Sequence, residues 1–317
     1  MLTTNILFLG GAKRVSLAEH LINTGKQYGL DVEIFSYELE QTVPIALVAK
    51  VIIGKKWKDA DLMVDLERVI LSNNISIILP FVDPAIVVCA KVKRKFSSLF
   101  IPISDEYICD VMFNKALSAI WFKQNNVPQP TGFLQGESFE YPVILKPIFG
   151  SASKGIIICQ SPKDLPEGIN YEKYIVQKYI SNRTEYTVDC YVAQDGRIIS
   201  VVPRVRLETA GGEVIKSKTI RHEQILNATK KILKTNAFRG PITVQFIEDK
   251  DTGEVFVMEI NPRLGGGVIT SIEANSQLLN ALFEEFLGKQ PVYRNDWEEG
   301  LLLTRYFKEV IFHADNN

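Results

Sequence analysis

The chain has 317 residues, 46% hydrophobic and 23% charged, which is the composition of a globular protein with room for two or three packed lobes. Its 36 lysines and arginines nearly balance its 37 aspartates and glutamates, so no overall field draws it to nucleic acid or to an anionic membrane. Four well-separated cysteines without metal-ligand spacing, and no targeting or membrane-spanning pattern, predict a cytoplasmic protein.

The first hundred residues alternate predicted strands with predicted helices. The strands lie at 5–9, 32–37, 51–53 and 75–80, and the helices at 15–28 and 62–72. This alternation is typical of a parallel, doubly wound sheet. Gly10-Gly11 closes the first strand, but the GxGxxG spacing of a dinucleotide site is absent. We therefore favour a tight turn in a scaffold domain over a nucleotide site.

The remaining residues begin with one predicted helix and continue mainly as strands. The helix covers about 110–125, and Pro128 and Pro130 then impose extended backbone. Two strands at 142–146 and 156–159 flank a glycine loop at 149–155. Further strands follow at 175–180, 186–192, 198–205, 242–247 and 255–260. The turn-forming residues 249–253 predict that the last two strands form an antiparallel hairpin.

Polar side chains collect at the end of this hairpin. Strand alternation places Glu259, Asn261 and Arg263 on one face, with Ile260 toward the core. Carboxylate and amide oxygens suit Mg²⁺, and a guanidinium suits phosphate or carboxylate. Gln245 on the facing strand can add an amide oxygen. The alternative interpretation is a strand end with a surface salt bridge.

A second candidate cluster lies around the glycine loop. Lys146 stands within an otherwise buried strand, where an ammonium needs an anionic partner. The small residues of the loop, Gly150, Ser151, Ser153 and Gly155, allow phosphate to approach backbone N–H groups. The loop joins two strands and is not a Walker A motif. An ordinary hairpin loop has a similar sequence.

A third group of charged residues follows the glycine loop. Glu185 is a candidate acceptor for ribose hydroxyls. Arg204, Arg206, Lys216 and Lys218 occupy positions of one parity. They fit either a solvated strand edge or a lining that neutralises a transferred phosphoryl group.

These motifs, in this order, resemble the ATP-grasp superfamily over nearly the whole chain. The similarity is greatest to the branch that resembles the carbamoyl-phosphate synthase large subunit and biotin carboxylase. The resemblance implies α/β and α+β architecture in three parts. These are an N-terminal Rossmann-like, pre-ATP-grasp domain at 1–108, a small lobe at 109–179, and a C-terminal lobe with the metal and catalytic residues at 180–317.

The resemblance also implies a role for each candidate residue. Phosphate contacts fall to Lys115, Lys146 and the loop residues Gly150, Ser151, Ser153 and Gly155. The adenine hinge falls to Gln177, Lys178, Tyr179 and Ile180, and the ribose carboxylate to Glu185. The metal ligands are Gln245, Glu259 and Asn261, and the catalytic set is Arg263, Lys146, Arg204 and Arg206. Lys178, Asn114 and Gln245 depart from the acidic residues common at these places.

The implied activity is an ATP-dependent carboxylate–amine or carboxylate–thiol ligase. Its acyl-phosphate intermediate would form with release of ADP, and phosphate would leave in the second step. ATP and Mg²⁺ are the implied cofactors, with Mn²⁺ as an alternative metal. The implied partners are small-molecule carboxylates and amines, and a homodimer is left open. The competing hypotheses are a carbamoyl-phosphate-synthase-like subunit acting on bicarbonate or carbamate, and a non-catalytic ATP-binding regulatory protein.

Overall fold

A computed structural model describes residues 1–133, 137–150 and 154–313. It divides into two compact units. Unit 1 contains Met1–Ile103, Gln277–Val292 and the residues from Arg305 onward, and unit 2 contains Ser104–Ser276 and Tyr293–Thr304. None of the helices in these described ranges combines the length and the apolarity that a membrane crossing requires.

The described residues form fourteen strands, eight α-helices and three short 3₁₀ helices. In chain order the first are β1 (Leu2–Leu9), α1 (Val15–Gln27), β2 (Leu30–Glu38), β3 (Lys50–Ile53), α2 (Leu62–Ser72), β4 (Ile75–Pro80) and α3 (Asp83–Lys95). Next come α4 (Glu106–Phe113), α5 (Lys115–Gln124), β5 (Gly132–Phe133), β6 (Val143–Pro147), β7 (Ile157–Cys159), β8 (Tyr174–Lys178), β9 (Arg183–Val192) and β10 (Ile198–Ala210). The last are β11 (Glu213–Thr219), α6 (Glu223–Leu233), β12 (Gly240–Asp249), β13 (Val255–Asn261), α7 (Ile269–Glu273), α8 (Leu278–Phe286) and β14 (Leu302–Thr304).

The core of unit 1 is a parallel sheet with strand order β3-β2-β1-β4. Parallel pairing is what the strand–helix alternation predicts. At the carboxyl end of β2, the Glu38 carboxylate accepts hydrogen bonds from Ser36 Oγ, at 2.6 Å, and from the backbone of Gly11 and Ala12. Burial raises the pKa of Glu38. Because a side chain of the protein itself occupies these turn amides, the structure favours the scaffold interpretation of the Gly10-Gly11 turn.

Unit 2 contains two antiparallel sheets. The larger has the order β13-β12-β9-β10-β11-β14, and the smaller has the order β5-β8-β6-β7. The predicted hairpin of β12 and β13 is confirmed, and so is the strand–loop–strand order of β6 and β7. Helices α4, α5 and α6 contribute side chains to the hydrophobic core on the larger sheet, where Trp121 packs edge-on against Phe238 with ring centroids 5.6 Å apart.

The single helix predicted at 110–125 is wrong, because the chain forms two helices that meet at Asn114. This residue has extended backbone (φ −109°, ψ 111°), and its Oδ1 accepts the N–H groups of Ala116 and Leu117 at 2.9 and 3.1 Å. An asparagine N-cap starts the second helix at Lys115 and ends the first at Phe113. The prediction also lacked the helices α3, α6, α7 and α8, the strands β5, β11 and β14, and the extension of β10 to Ala210.

Candidate active site

Lys146 is the central basic residue of the smaller sheet. It lies on β6, and its Nζ donates to Gln177 Oε1 on the neighbouring strand β8 at 3.0 Å. Burial lowers the pKa of Lys146 to about 8, and the charge of Glu259 on the larger sheet opposes this shift. The amine therefore lies in a desolvated place that an anionic ligand would stabilise.

The β12–β13 hairpin assembles three oxygen-bearing side chains. Gln245 pairs directly with Glu259, and Asn261 follows on the same face of β13. Both Gln245 Nε2 and Asn261 Nδ2 donate to Glu259 Oε1, at 2.6 and 2.9 Å. One carboxylate and two amides thus converge on one point. Amide groups can turn to present their oxygens, so this donor set fits a hard divalent cation such as Mg²⁺.

This cluster contains one acidic residue only. Within the described ranges, three or more histidine, cysteine, aspartate or glutamate side chains nowhere come together as a metal site. The amide ligands therefore distinguish this candidate site from one built on several carboxylates. A site with a single negative charge holds Mg²⁺ well only when the anionic oxygens of a ligand complete the coordination.

Hydrogen bonds to its backbone fix the position of Arg263 at the end of β13. Its N–H donates to Asn261 O at 2.8 Å, its carbonyl oxygen accepts from Thr243 Oγ1 at 2.9 Å, and its Nη1 lies 3.3 Å from Leu264 O. Thr243 belongs to β12, opposite Asn261. The backbone that carries the guanidinium is thus fixed to the same hairpin as the metal-type ligands.

Glu185 lies between two arginines. Arg183 Nε donates to its Oε1 at 3.1 Å, and Arg206 Nε lies 3.4 Å from its Oε2. Sequence reasoning missed Arg183, although its place two residues before Glu185 puts it on the same face of β9. A ribose hydroxyl at Glu185 would share the carboxylate with these guanidinium groups.

The hinge residues are partly engaged by the protein. The N–H groups of Lys178 and Tyr179 donate to Thr131 O and Pro142 O, at 2.8 and 2.9 Å. Arg183 Nη1 donates to Ile180 O at 2.8 Å, and its Cζ lies 5.1 Å from the centre of the Tyr179 ring. Gln177 is buried and turned toward Lys146. A base at this hinge would use the backbone groups that these contacts leave.

Lys115, the other candidate phosphate ligand, is hydrogen-bonded to the glycine loop and to the residue just before it. Lys115 Nζ donates to Gly150 O at 2.6 Å, and Lys115 N–H donates to Ile148 O at 3.0 Å. Gly150 and Gly155 both have positive φ, at +139° and +73°. Ser151 and Ser153 lie outside the described residues.

The four cations of the β10–β11 hairpin separate onto two faces. Arg204 lies opposite Thr219 and Arg206 opposite Ser217, whereas Lys218 lies opposite Val205 and Lys216 opposite Glu208. Directly paired residues share a face, so the lysines point away from the arginines. Lys216 instead pairs with exposed Glu208 at 3.2 Å. A shared four-cation lining is therefore wrong.

The two arginines also differ from each other. Arg204 is 1% exposed and pairs with Asp189, Nε to Oδ2, at 2.8 Å. Arg206 reaches Glu185 and donates through Nη2 to Gly212 O at 3.1 Å. Arg204 is thus buried against Asp189, whereas Arg206 lies beside the candidate ribose carboxylate.

The chain is similar to known proteins in sequence and in fold. Residues 170–308 match the family described as "ATP-grasp in the biosynthetic pathway with Ter operon". Among curated relatives, the mitochondrial carbamoyl-phosphate synthase [ammonia] of Homo sapiens is 26% identical over 182 residues, which are 52% of this chain and 11% of that protein. The chain therefore spans about a tenth of the length of this relative.

Solved structures share the fold over more of the chain. The biotin carboxylase domain dimer of Hydrogenobacter thermophilus 2-oxoglutarate carboxylase, in complex with MgADP, ADP and bicarbonate, gives a TM-score of 0.75 at 18% identity and covers 94% of this chain and 73% of that one. The L-amino acid ligase of Bacillus licheniformis gives 0.70 at 16% identity, over 92% of this chain and 76% of that one. At these identities, the similarity establishes the fold.

Proposed function

We propose, from the chain's membership of the ATP-grasp superfamily, in the branch of carbamoyl-phosphate synthase and biotin carboxylase, that it is an ATP-dependent carboxylate–amine ligase. One observation carries this proposal. The desolvated Lys146 of the smaller sheet and the Gln245/Glu259/Asn261 group of the larger sheet lie close enough for the Glu259 charge to act on the lysine. A nucleoside triphosphate supplies negative charge to Lys146, and its divalent cation supplies positive charge to the oxygen-bearing group.

The proposed binding mode assigns the polyphosphate to Lys146 and Lys115. The ribose hydroxyls would lie at Glu185, and the adenine at the backbone of the hinge 177–180. Gln245, Glu259 and Asn261 would hold Mg²⁺, with Mn²⁺ as an alternative ion of similar ligand preference. The cation would neutralise charge on the phosphate oxygens during transfer. The neighbour crystallised with MgADP supports this choice of ligand class.

The proposed reaction has two steps. A carboxylate oxygen of the substrate attacks the γ-phosphorus, the bond to the ADP oxygen breaks, and an acyl phosphate results. An amine nitrogen then attacks the acyl carbon, phosphate leaves and the nitrogen loses a proton. In both steps the protein mainly positions groups and neutralises charge, which suits Lys146 and Arg263. The neighbouring L-amino acid ligase supports an amine as the nucleophile, and a thiol is the alternative.

The test is phosphate release with ATP and Mg²⁺ across panels of carboxylates and amines, followed by mass spectrometry of the product. The carboxylate panel includes bicarbonate, because a neighbour was crystallised with it and the synthase relative points the same way. An amide product supports the ligase, and a carbamoyl or carboxylated product supports the bicarbonate alternative. ATP-analogue binding without turnover on any panel would favour the regulatory alternative.

The assembly and the lobe boundaries are part of the same proposal. A homodimer is supported by the dimeric state of the 2-oxoglutarate carboxylase domain, and light scattering of the purified chain tests it. Lobes at 109–179 and 180–317, after a first domain at 1–108, would place the ATP site within unit 2. Limited proteolysis with and without an ATP analogue checks these boundaries.

A further inference from the structure

A buried ion pair joins two central strands of the larger sheet. Arg204 on β10 is among the largest fully buried side chains of the described residues, and its Nε lies 2.8 Å from Asp189 Oδ2 on β9. The same carboxylate oxygen accepts a hydrogen bond from Ser271 Oγ on α7, at 2.6 Å. Three elements of unit 2 therefore meet at one carboxylate.

This pair is a poor source of stability. In the described part of the chain, Asp189 Oδ1 and Arg204 Nη1 are buried without a hydrogen-bond partner. Desolvating two charges costs free energy that their attraction often fails to recover, and each unsatisfied polar atom adds to this cost. Replacing a buried ion pair by apolar side chains of similar volume is often neutral or stabilising. The pair therefore suggests a role other than stability.

The glycine-rich loop after Arg263 rests directly on this pair. A Cβ atom at Gly267 would lie 2.6 Å from Arg204 Nη1 and 2.5 Å from Val214 Cγ1. A Cβ atom at Gly265 would lie 2.9 Å from Thr243 Oγ1 and 3.3 Å from Asp189 Oδ1. Glycine is required at both places because the backbone approaches these side chains too closely for a methyl group. The side chains below the loop thus define where its backbone lies.

The loop is continuous with Arg263. Thr243 Oγ1, which touches the position of Gly265, also donates to the Arg263 carbonyl oxygen at 2.9 Å. A shift of Asp189 or Arg204 would therefore move the loop, and the loop would move the backbone that carries the guanidinium. Misplacing a catalytic group by about 1 Å costs about a hundredfold in rate.

We propose that Asp189, Arg204 and Ser271 are positioning residues, which seat the 264–267 loop and so set the position of Arg263. The proposal rests on the proposed function, because Arg263 is assigned there to phosphoryl transfer. In this proposal Arg204 acts by holding the loop in place, and it is not itself a catalytic residue. No substrate atom needs to reach the buried guanidinium.

The first test compares two serine hydroxyls that tie neighbouring residues of α7 to the larger sheet. Ser271→Ala removes the bond to Asp189, and the matched control Ser217→Ala removes the buried bond between Ser217 Oγ and Thr270 Oγ1, at 2.7 Å. We expect both variants to lose similar thermal stability. Only Ser271→Ala should lower kcat, by about tenfold, with the KM for ATP almost unchanged. Equal effects of the two variants on kcat would overturn the proposal.

A second test links the pair to Arg263. If Arg204 acts through Arg263, Arg204→Lys should lower kcat in the wild-type background and add little in an Arg263→Lys background. Additive losses would overturn the proposal. Should Arg204→Lys fail to fold, the Ser271→Ala comparison decides alone.

A third measurement is independent of turnover. Hydrogen exchange of peptides covering 262–268 should be faster in Ser271→Ala than in Ser217→Ala, and equal exchange would count against the seating of the loop. Absence of wild-type turnover with every substrate, together with faster exchange in Ser271→Ala, would reject the proposed function and keep the positioning role.

Discussion

Gln245 and Glu259 face each other across the β12–β13 hairpin, and Gln245 Nε2 donates to Glu259 Oε1 over 2.6 Å. Asn261 Nδ2 donates to the same oxygen at 2.9 Å. Rotation of both amides would turn this hydrogen-bonded cluster into three oxygen ligands around one cation. The hydrogen bonds within the cluster therefore hold three potential metal ligands close to one another.

Glu259→Gln keeps the shape of this cluster and removes its only charge. We expect Mg²⁺-dependent ATP turnover to fall by about a hundredfold or more, because an amide cannot replace the charge of the carboxylate. Steady-state phosphate release measures the effect. Glu254→Gln, at an exposed place beside the hairpin turn, is the matched control and should leave turnover unchanged. Equal turnover in the two variants would remove Glu259 from the metal site.

Lys146 should make folding stability depend on pH in a defined window. Its pKa is about 8 in the folded chain, against an ordinary value of 10.5, because burial disfavours the charged amine. At a pH between these two pKa values, the unfolded chain binds more protons at Lys146 than the folded chain does. The contribution of Lys146 to the free energy of unfolding therefore rises with pH. Denaturant unfolding below pH 8 and near pH 10.5 should show wild type gaining stability relative to Lys146→Met. A pH-independent difference would contradict this assignment.

ATP binding should depend on the same proton in the opposite direction. Bound phosphates favour the charged amine, so affinity for a non-hydrolysable ATP analogue should fall as the pH rises above about 8. Calorimetry of Lys146→Met should give weaker binding that lacks this pH dependence. The control Lys173→Met, an exposed lysine of the same lobe, should bind as wild type does. An identical pH profile in both variants would separate Lys146 from the phosphates.

Arg263→Lys tests the proposed clamp on the reacting phosphate. Lysine keeps the charge but cannot reproduce the planar fork, so kcat should fall by about tenfold to a hundredfold while ATP affinity changes little. Single-turnover ADP formation measures the chemical step. Arg197→Lys is the control, because Arg197 forms an exposed ion pair with Asp195 at 2.8 Å, of a kind that contributes about 1 kcal/mol or less. Wild-type kcat with a lowered Tm would make Arg263 structural.

Glu185→Gln tests the ribose assignment. If the carboxylate accepts ribose hydroxyls, wild type should bind ATP about tenfold more tightly than its 2′- and 3′-deoxy analogues, and the variant should lose most of this preference. Competition calorimetry compares the three nucleotides. The hydrogen bond from Arg183 to Ile180 O does not involve Glu185, so we expect the hinge to keep its geometry in the variant. An unchanged preference would limit Glu185 to its ion pairs with the two arginines.

Local chemistry in the sequence predicts much of the site. The turn-forming residues 249–253 set the β12–β13 register, so the sequence alone predicts Gln245 near Glu259, and the two residues are paired. Lys146 within an apolar strand predicts a desolvated amine, and burial lowers its pKa accordingly. Each of these features depends on residues close together along the chain or on one hairpin.

The roles of Arg204, Arg206, Lys216 and Lys218 depend on contacts that the sequence does not contain. Counting positions places all four on one face, but Ala210 pairs with Glu213 at the turn, so Arg204 and Arg206 lie opposite odd-numbered positions of β11 and the even-numbered lysines lie on the other face. Whether Arg204 reaches a ligand or is buried depends on Asp189 and on a glycine-rich loop far along the chain. Alternation along a strand follows from local backbone geometry, so the sequence by itself determined it. The burial of Arg204 is set by segments that are distant along the chain, so only the tertiary structure decided it.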